Sequence, residues 1–176
     1  MDRAIQVRPA SLDDAASIAA IYRPYVLNDA ISFELEAPTA EEMAARIART
    51  LQLGFPYIVA TRDEIIAGYA YTSPFRTRAA YSATVESSIY VREDVQRQGV
   101  GRALLNELIR LSALGGKHQM IAVIADPLRN HPSVALHASL GFYQVGVLKN
   151  VGVKFGKAWD TLLMQRELSA WEAVVE

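Results

Sequence analysis

Tyr90-Val91-Arg92-Glu93-Asp94-Val95-Gln96-Arg97-Gln98-Gly99-Val100-Gly101-Arg102 is the most informative stretch of this 176-residue chain. A β-favouring run, Thr84 to Val91, enters it, and two glycines stand at the turn. Leu104, Leu105, Leu108 and Leu111 then line one face of a helix that ends at Gly115-Gly116. Glycine lets the backbone approach a ligand closely, and a helix N-terminus presents unpaired N–H groups and the positive end of its dipole. Strand, glycine loop and helix outline a pyrophosphate site. No Gly-Lys-Ser/Thr is present, which excludes a Walker loop, and Leu104 stands where a dinucleotide fingerprint wants Gly or Ala. The competing reading is a plain tight turn between strand and helix.

Working outward, Ile5-Gln6-Val7-Arg8 alternates apolar and polar up to Pro9 and predicts a short strand. Ser11-Leu12-Asp13-Asp14 opens a helix, with Ser11 as cap, Asp14 as the capping-box acid, and a stripe of Ala15, Ile18, Ala19, Tyr22 and Tyr25. Thr39-Ala40-Glu41-Glu42 repeats the start signal ahead of Met43, Ile47 and Leu51, and Gly54 ends that helix. Tyr57–Ala60 and Ile66–Tyr71 flank a polar Arg62-Asp63-Glu64 turn as a hairpin. The apolar run Met120–Ile124 suits a strand buried on both faces. A short helix from Pro132 to Leu140, closed by Gly141, precedes strands at Gln144–Leu148 and Trp159–Gln165. The order β-α-α-β-β-β-α-β-α-β-β predicts an α/β sandwich around a mixed, mostly antiparallel sheet, as one domain over residues 1–176.

Composition narrows the function. Hydrophobic residues make up 51% and charged residues 21%, which suits a globule with a sizeable core. Eighteen Lys+Arg against nineteen Asp+Glu leave a net charge of −1, so no basic field invites nucleic acid or an anionic membrane. No cysteine is present, which removes disulfides, thiolate ligands and a cysteine nucleophile, and fits a reducing, cytoplasmic location. Met1-Asp2-Arg3-Ala4-Ile5 lacks the apolar core of a signal peptide, and no run reaches membrane-spanning length. His118, His131 and His137 show no ligand spacing, so no metal is expected.

Gln96-x-x-Gly99-x-Gly101 resembles the Gln/Arg-x-x-Gly-x-Gly/Ala signature of the GNAT (Gcn5-related) N-acetyltransferases. Asn130-x-x-Ser133-x-x-Leu136-His137-x-x-x-Gly141-Phe142 is similar to that family's second coenzyme-side motif, and the likeness runs from Ile5 to Leu168. Within the family, five stretches resemble the branch that acetylates phosphinothricin and methionine sulfoximine. They are Ser32-Phe33-Glu34, Gly68–Tyr71, Pro74–Arg78, Thr84-Val85-Glu86 and Val151–Gly156.

The resemblance implies a GNAT fold and an acyltransferase that moves acetyl from acetyl-CoA to the α-amino group of a small glutamate-like amino acid. Transfer would be direct within a ternary complex. It implies that Gln96, Arg97, Gln98, Gly99, Val100, Gly101 and Arg102 hold the pyrophosphate, while Asn130 and Ser133 touch the coenzyme arm; alone, those two read equally well as helix caps. A backbone N–H near Ser88, Ile89 or Val91 would polarise the thioester carbonyl where the family splays this strand. An unprotonated amine needs a base, and Glu86 stands where the resembling enzymes carry one, acting directly or through water. The other reading of Glu86 is a carboxylate pointing out at the sheet edge. His137 replaces the tyrosine acid of many GNAT enzymes, with a structural or coenzyme-contacting role equally open.

On the acceptor side, Arg76 and Arg78 are two apart on a segment read as extended, so both guanidiniums could grip one carboxylate. The alternative is two solvated surface arginines. Phe33, Val85 and Lys154 are expected to wall the acceptor pocket, unless the aromatic belongs to the core. The resembling enzymes are homodimers, so a homodimer is expected. Two rivals stand beside this reading: acetylation of a protein N-terminus or amino sugar, and a coenzyme A sensor without catalysis.

Overall fold

A computed structural model describes residues 4–168. The reading of residues 1–3, and residues 169–176 of the expected 1–176 domain, lie outside the described residues. The elements follow the predicted order. They are β1 (Gln6–Pro9), α1 (Ala15–Leu27), α2 (Ala40–Gln52), β2 (Tyr57–Arg62), β3 (Ile65–Pro74) and β4 (Thr84–Val91), then α3 (Val100–Leu114), β5 (Gln119–Ala125), α4 (His131–Ser139), β6 (Tyr143–Lys154) and β7 (Lys157–Glu167).

The seven strands form one sheet in the order β1-β2-β3-β4-β5-β7-β6. Neighbours are antiparallel except β4 and β5. Helices cover both faces, so β2 and β3 bury side chains on each. On one face Ile18, Ile21 and Tyr22 of α1 and Met43 and Ile47 of α2 pack on Tyr57, Val59 and Tyr69. On the other, Leu104, Leu105 and Leu108 of α3 pack on Ile58, Ala70, Val85 and Met120. Burying one leucine contributes about 1.5–3 kcal/mol. Three such residues therefore anchor the helix that carries the glycine loop.

Both capping boxes form. The Asp14 carboxylate accepts the Ser11 N–H at 2.8 Å and also takes both guanidinium nitrogens of Arg8, at 2.7 and 2.8 Å. Thr39 and Glu42 cap α2 reciprocally, at 3.1 and 2.7 Å. Two boundaries differ from expectation. Pro9 lies inside β1, which an edge strand tolerates because the missing N–H faces no partner. The last hairpin is longer than its apolar alternation suggests: the register shifts between Leu148 and Gly152, and pairing resumes with Gly152 opposite Trp159.

Candidate active site

The central strand parts from its neighbour at the loop end. Arg92 N–H donates to Ala67 O at 2.9 Å and Phe75 N–H to Thr84 O at 3.4 Å, so the even-numbered residues of β4 direct their backbone groups to β3. Val85, Ser87, Ile89 and Val91 accordingly face β5. Pairing with β5 stops at Ser87 and Ala122, although the strands continue to Val91 and Ala125. Ile89 and Val91 thus direct their N–H groups into an opening past the last rung. The Val91 carbonyl is taken instead by the Tyr25 hydroxyl at 2.6 Å. Of the three residues expected to offer an N–H here, Ser88 is corrected: its amide belongs to the β3 ladder, opposite Tyr71.

Beyond the strand, Arg97 (φ 59°) and Gly99 (φ 89°) both take left-handed backbone, and Gly99 caps α3. A side chain at Gly99 would be strained there, whereas glycine adopts this conformation freely. No side chain caps α3, so the first-turn N–H groups of Val100, Gly101 and Arg102 stay open toward an anion. Three of these positions also make contacts within the fold. The Gln96 amide donates to Tyr25 Oη at 3.0 Å, bracing the loop. The Gln98 side chain accepts from Arg62 and donates to Asp94 O. A Cβ on Gly101 would lie 3.1 Å from Leu136 Cδ2, so the missing side chain lets α4 pack on α3. Arg102 joins the same helices through Ser139 Oγ at 2.9 Å.

Asn130 occupies the N-cap of α4 without a side-chain cap bond, which leaves its amide for a ligand. The Ser133 hydroxyl lies 3.4 Å from His137 Nδ1. His137 is 4% exposed, edge-on to Phe142, with Nδ1 2.8 Å from the Ser133 carbonyl. A carbonyl only accepts, so Nδ1 carries the proton and Nε2 the lone pair. Burial pushes the His137 pKa down, against the Ser133 bond. A neutral imidazole of this tautomer has no Nε2 proton to give, so the expected acid role is not supported.

Glu86 is half-buried on the face covered by α1 and α2, paired with Ser73 on β3 and Ile121 on β5. Burial raises its pKa. Val85 points the opposite way, is 0% exposed, and packs its side chain with α3 in the core.

The acceptor-side expectations fare unevenly. β3 ends at Pro74 and the chain bends at Phe75, Thr77 and Arg78, so the extended geometry assumed for Arg76 and Arg78 is absent. Arg76 instead sits over the rings of Phe75 and Tyr81, both at 5.2 Å, and donates to Tyr81 Oη. Arg78 is exposed at the cap of the following 3-10 turn. Lys154 is 3% exposed, and its ammonium donates to Asp29 O at 2.7 Å and Ser32 O at 2.5 Å. The Phe33 ring covers Gly152, where any Cβ would collide with it. Both residues tie the α1–α2 loop to the last hairpin.

Residues 7–163 match the family model of the acetyltransferase (GNAT) domain. The chain belongs to the GNAT acetyltransferase family. The phosphinothricin N-acetyltransferase of Alcaligenes faecalis is 46% identical over 172 residues, 98% of this chain and 87% of that protein. The L-methionine sulfoximine/L-methionine sulfone acetyltransferase of Salmonella typhimurium is 37% identical over 163 residues, covering 92% and 94%. The GNAT superfamily phosphinothricin acetyltransferase of Sinorhizobium meliloti, solved in complex with AcCoA, superimposes with a TM-score of 0.88 at 41% identity, covering 93% and 88%.

This GNAT acetyltransferase transfers acetyl from acetyl-CoA to an amine. Its own groups fit that co-substrate: N–H groups at the strand opening suit a chain of amides, and an uncapped helix start suits a pyrophosphate. Among the described residues no group of three or more His, Asp or Glu could hold a metal, and no helix is long and apolar enough to cross a membrane. Sequence reasoning missed Tyr25, counted there only as an apolar stripe. The signal was available, since a buried tyrosine hydroxyl seeks a partner. It also gave no role to Glu34, which accepts from Tyr22 Oη and both guanidinium nitrogens of Arg46.

Proposed function

We propose that this enzyme acetylates the α-amino group of a small glutamate-like amino acid of the phosphinothricin or L-methionine sulfoximine type, with both substrates bound together. The observation that carries the reading is the position of Glu86. It lies one residue before the last β4–β5 rung, half-buried, on the face opposite α3, with a pKa raised by burial alone. A carboxylate so placed holds a proton more readily than an ordinary one, and an amine that is mostly protonated near neutral pH needs such a base. Acetyl-CoA supplies an acyl thioester. Glu86 removes one proton from the attacking nitrogen, directly or through a water; the N–C bond forms, the C–S bond breaks, and the departing thiolate takes the second proton that the nitrogen loses. The Ile89 and Val91 N–H groups are aimed where the carbonyl oxygen gains charge. Val100, Gly101 and Arg102 hold the pyrophosphate by their N–H groups, with Arg97 adding charge, and Asn130 and Ser133 contact the coenzyme arm. His137 fixes the first turns of α4. Arg78, exposed at the bend, remains the candidate for the acceptor carboxylate.

We further read the chain as one domain, cytoplasmic and homodimeric. β6 supports the dimer: it is a sheet edge of twelve residues along which Tyr143, Val145, Val147, Val151 and Val153 are all exposed. A long apolar edge invites a second copy. Acetylating phosphinothricin would confer resistance to it. The test is thiol release from acetyl-CoA against a panel of amino acids, an amino sugar and an N-terminal peptide. Release with glutamate-like amino acids supports the reading. Release only with the peptide or amino sugar replaces the acceptor. Tight acetyl-CoA binding with no release from any of them would make the chain a sensor.

A further inference from the structure

We propose that the cavity between the loop after α1 and the β6–β7 turn is a binding site for an aromatic carboxylate, separate from the site of acetyl transfer. The cavity is about 320 Å³ and is lined by Asp29, Ile31, Arg129, Phe155, Lys157 and Trp159, among others. Small-molecule sites begin at about 300 Å³ and combine apolar or aromatic walls with a few charged groups. A void of ~150 Å³ admits a benzene ring, so this one holds a ring and an acid group together.

Register separates the cavity from Glu86, the base of the reading above, on which this separation rests. Glu86 lies level with Ile121 on β5 and Gln165 on β7. Trp159 lies past the last β5–β7 rung, Ala125 with Thr161, six residues along β7 from Gln165. Six residues of strand extend roughly 20 Å. A free amino acid whose nitrogen meets Glu86 does not reach that far.

The walls are set by one residue. The Lys154 ammonium lies 5.1 Å from the centre of the Phe155 ring, and the Lys154 carbonyl accepts the Trp159 Nε1–H at 2.9 Å. The same ammonium holds the Asp29 and Ser32 carbonyls of the loop after α1. Walls fixed in advance lower the ordering cost of binding. Charge then selects the ligand. The Arg129 guanidinium lies over the Trp159 ring at 5.9 Å and is 76% exposed, with its nearest carboxylate oxygen, Asp126 Oδ2, 3.9 Å away. Lys157 is exposed as well. The acids around them are engaged: Asp29 accepts the Ile31 N–H at 3.1 Å, and Asp160 takes Lys149 Nζ and the Asn150 N–H. A guanidinium stacked on an aromatic face keeps its edge free for a bidentate carboxylate. Two cations beside two rings match an anion joined to a flat ring, and mismatch a cation.

The test is calorimetry on the whole chain with phenylacetate, its neutral amide phenylacetamide, and acetate, which has the charge without the ring. Wild type should bind phenylacetate at least 10-fold more tightly than either of the others. The exposed Arg129→Gln and Lys157→Gln should each weaken phenylacetate binding several-fold and leave phenylacetamide unchanged, and Trp159→Leu should weaken both. Thiol release with methionine sulfoximine supplies the second readout: saturating phenylacetate should not raise the KM for the amino acid. Phenylacetate that binds no better than its amide, or that binds Arg129→Gln and Lys157→Gln as tightly as wild type, overturns the site and leaves the amino-acid reading intact. Competition with methionine sulfoximine overturns it too, by placing phenylacetate in the acceptor site. Binding with the expected variant pattern in a chain that acetylates no amino acid keeps this site and removes the reading of the acceptor.

Discussion

The Tyr25 hydroxyl donates to the Val91 carbonyl at 2.6 Å while accepting from the Gln96 amide at 3.0 Å. One phenol therefore occupies the carbonyl that β5 leaves behind and ties the glycine loop to α1. Burial pushes the Tyr25 pKa up from its ordinary value, which favours the protonated, donating hydroxyl.

Tyr25→Phe should leave the Val91 carbonyl and the Gln96 amide without this partner. The expected loss is about 1–3 kcal/mol of stability, with a several-fold weaker acetyl-CoA Kd. Urea unfolding and calorimetry measure the two quantities. An unchanged Kd would detach this hydroxyl from the coenzyme side.

Lys154→Met should remove both donors from the Asp29 and Ser32 carbonyls. We expect a loss of at least ~2 kcal/mol and a KM for the acceptor that rises more than the KM for acetyl-CoA, because the freed loop carries Glu34 toward the acceptor side. Equal changes in the two KM values would mean the loop only supports the fold.

Asp14 gives a pH signature. The Arg8 guanidinium, more than the Ser11 bonds, holds its carboxyl below the ordinary value of 3.8. A depressed carboxylate contributes stability that is present above that value and lost as pH falls through the folded pKa. Asp14→Asn should cost ~1.5–3 kcal/mol at pH 7 and converge with wild type in strong acid. Parallel melting curves down to pH 2 would contradict the pairing.

Local patterns carried most of the fold. Ser11 with Asp14, Thr39 with Glu42, and the Gly99 turn are recognisable within a few residues, and each forms as read. Long-range partners were not legible. The direction of Val85 depends on which residues of β4 meet β3, and Lys154 meets carbonyls more than 120 residues away. That Gly101 also gives α4 room to pack is not legible in its own segment, because Leu136 lies on another helix. The extended geometry read for Arg76 and Arg78 does not form because the chain bends after Pro74, a break the proline itself marks.

Glu86 is the centre of the account, and its raised pKa has two consequences with opposite signs. A carboxyl raised by burial contributes most to stability below its ordinary pKa of 4.5 and loses that contribution as pH rises through the folded value. Glu86→Gln should therefore be at least as stable as wild type at pH 8 while losing activity. The most direct measurement is the pH profile of kcat/KM for methionine sulfoximine in wild type and Glu86→Gln, with acetyl-CoA Kd measured alongside. The account predicts an acid limb in wild type that lies above the ordinary carboxylate range, and a variant slower by roughly 10² at pH 7 with that limb gone and Kd unchanged. A variant with the wild-type rate and the same limb would contradict it.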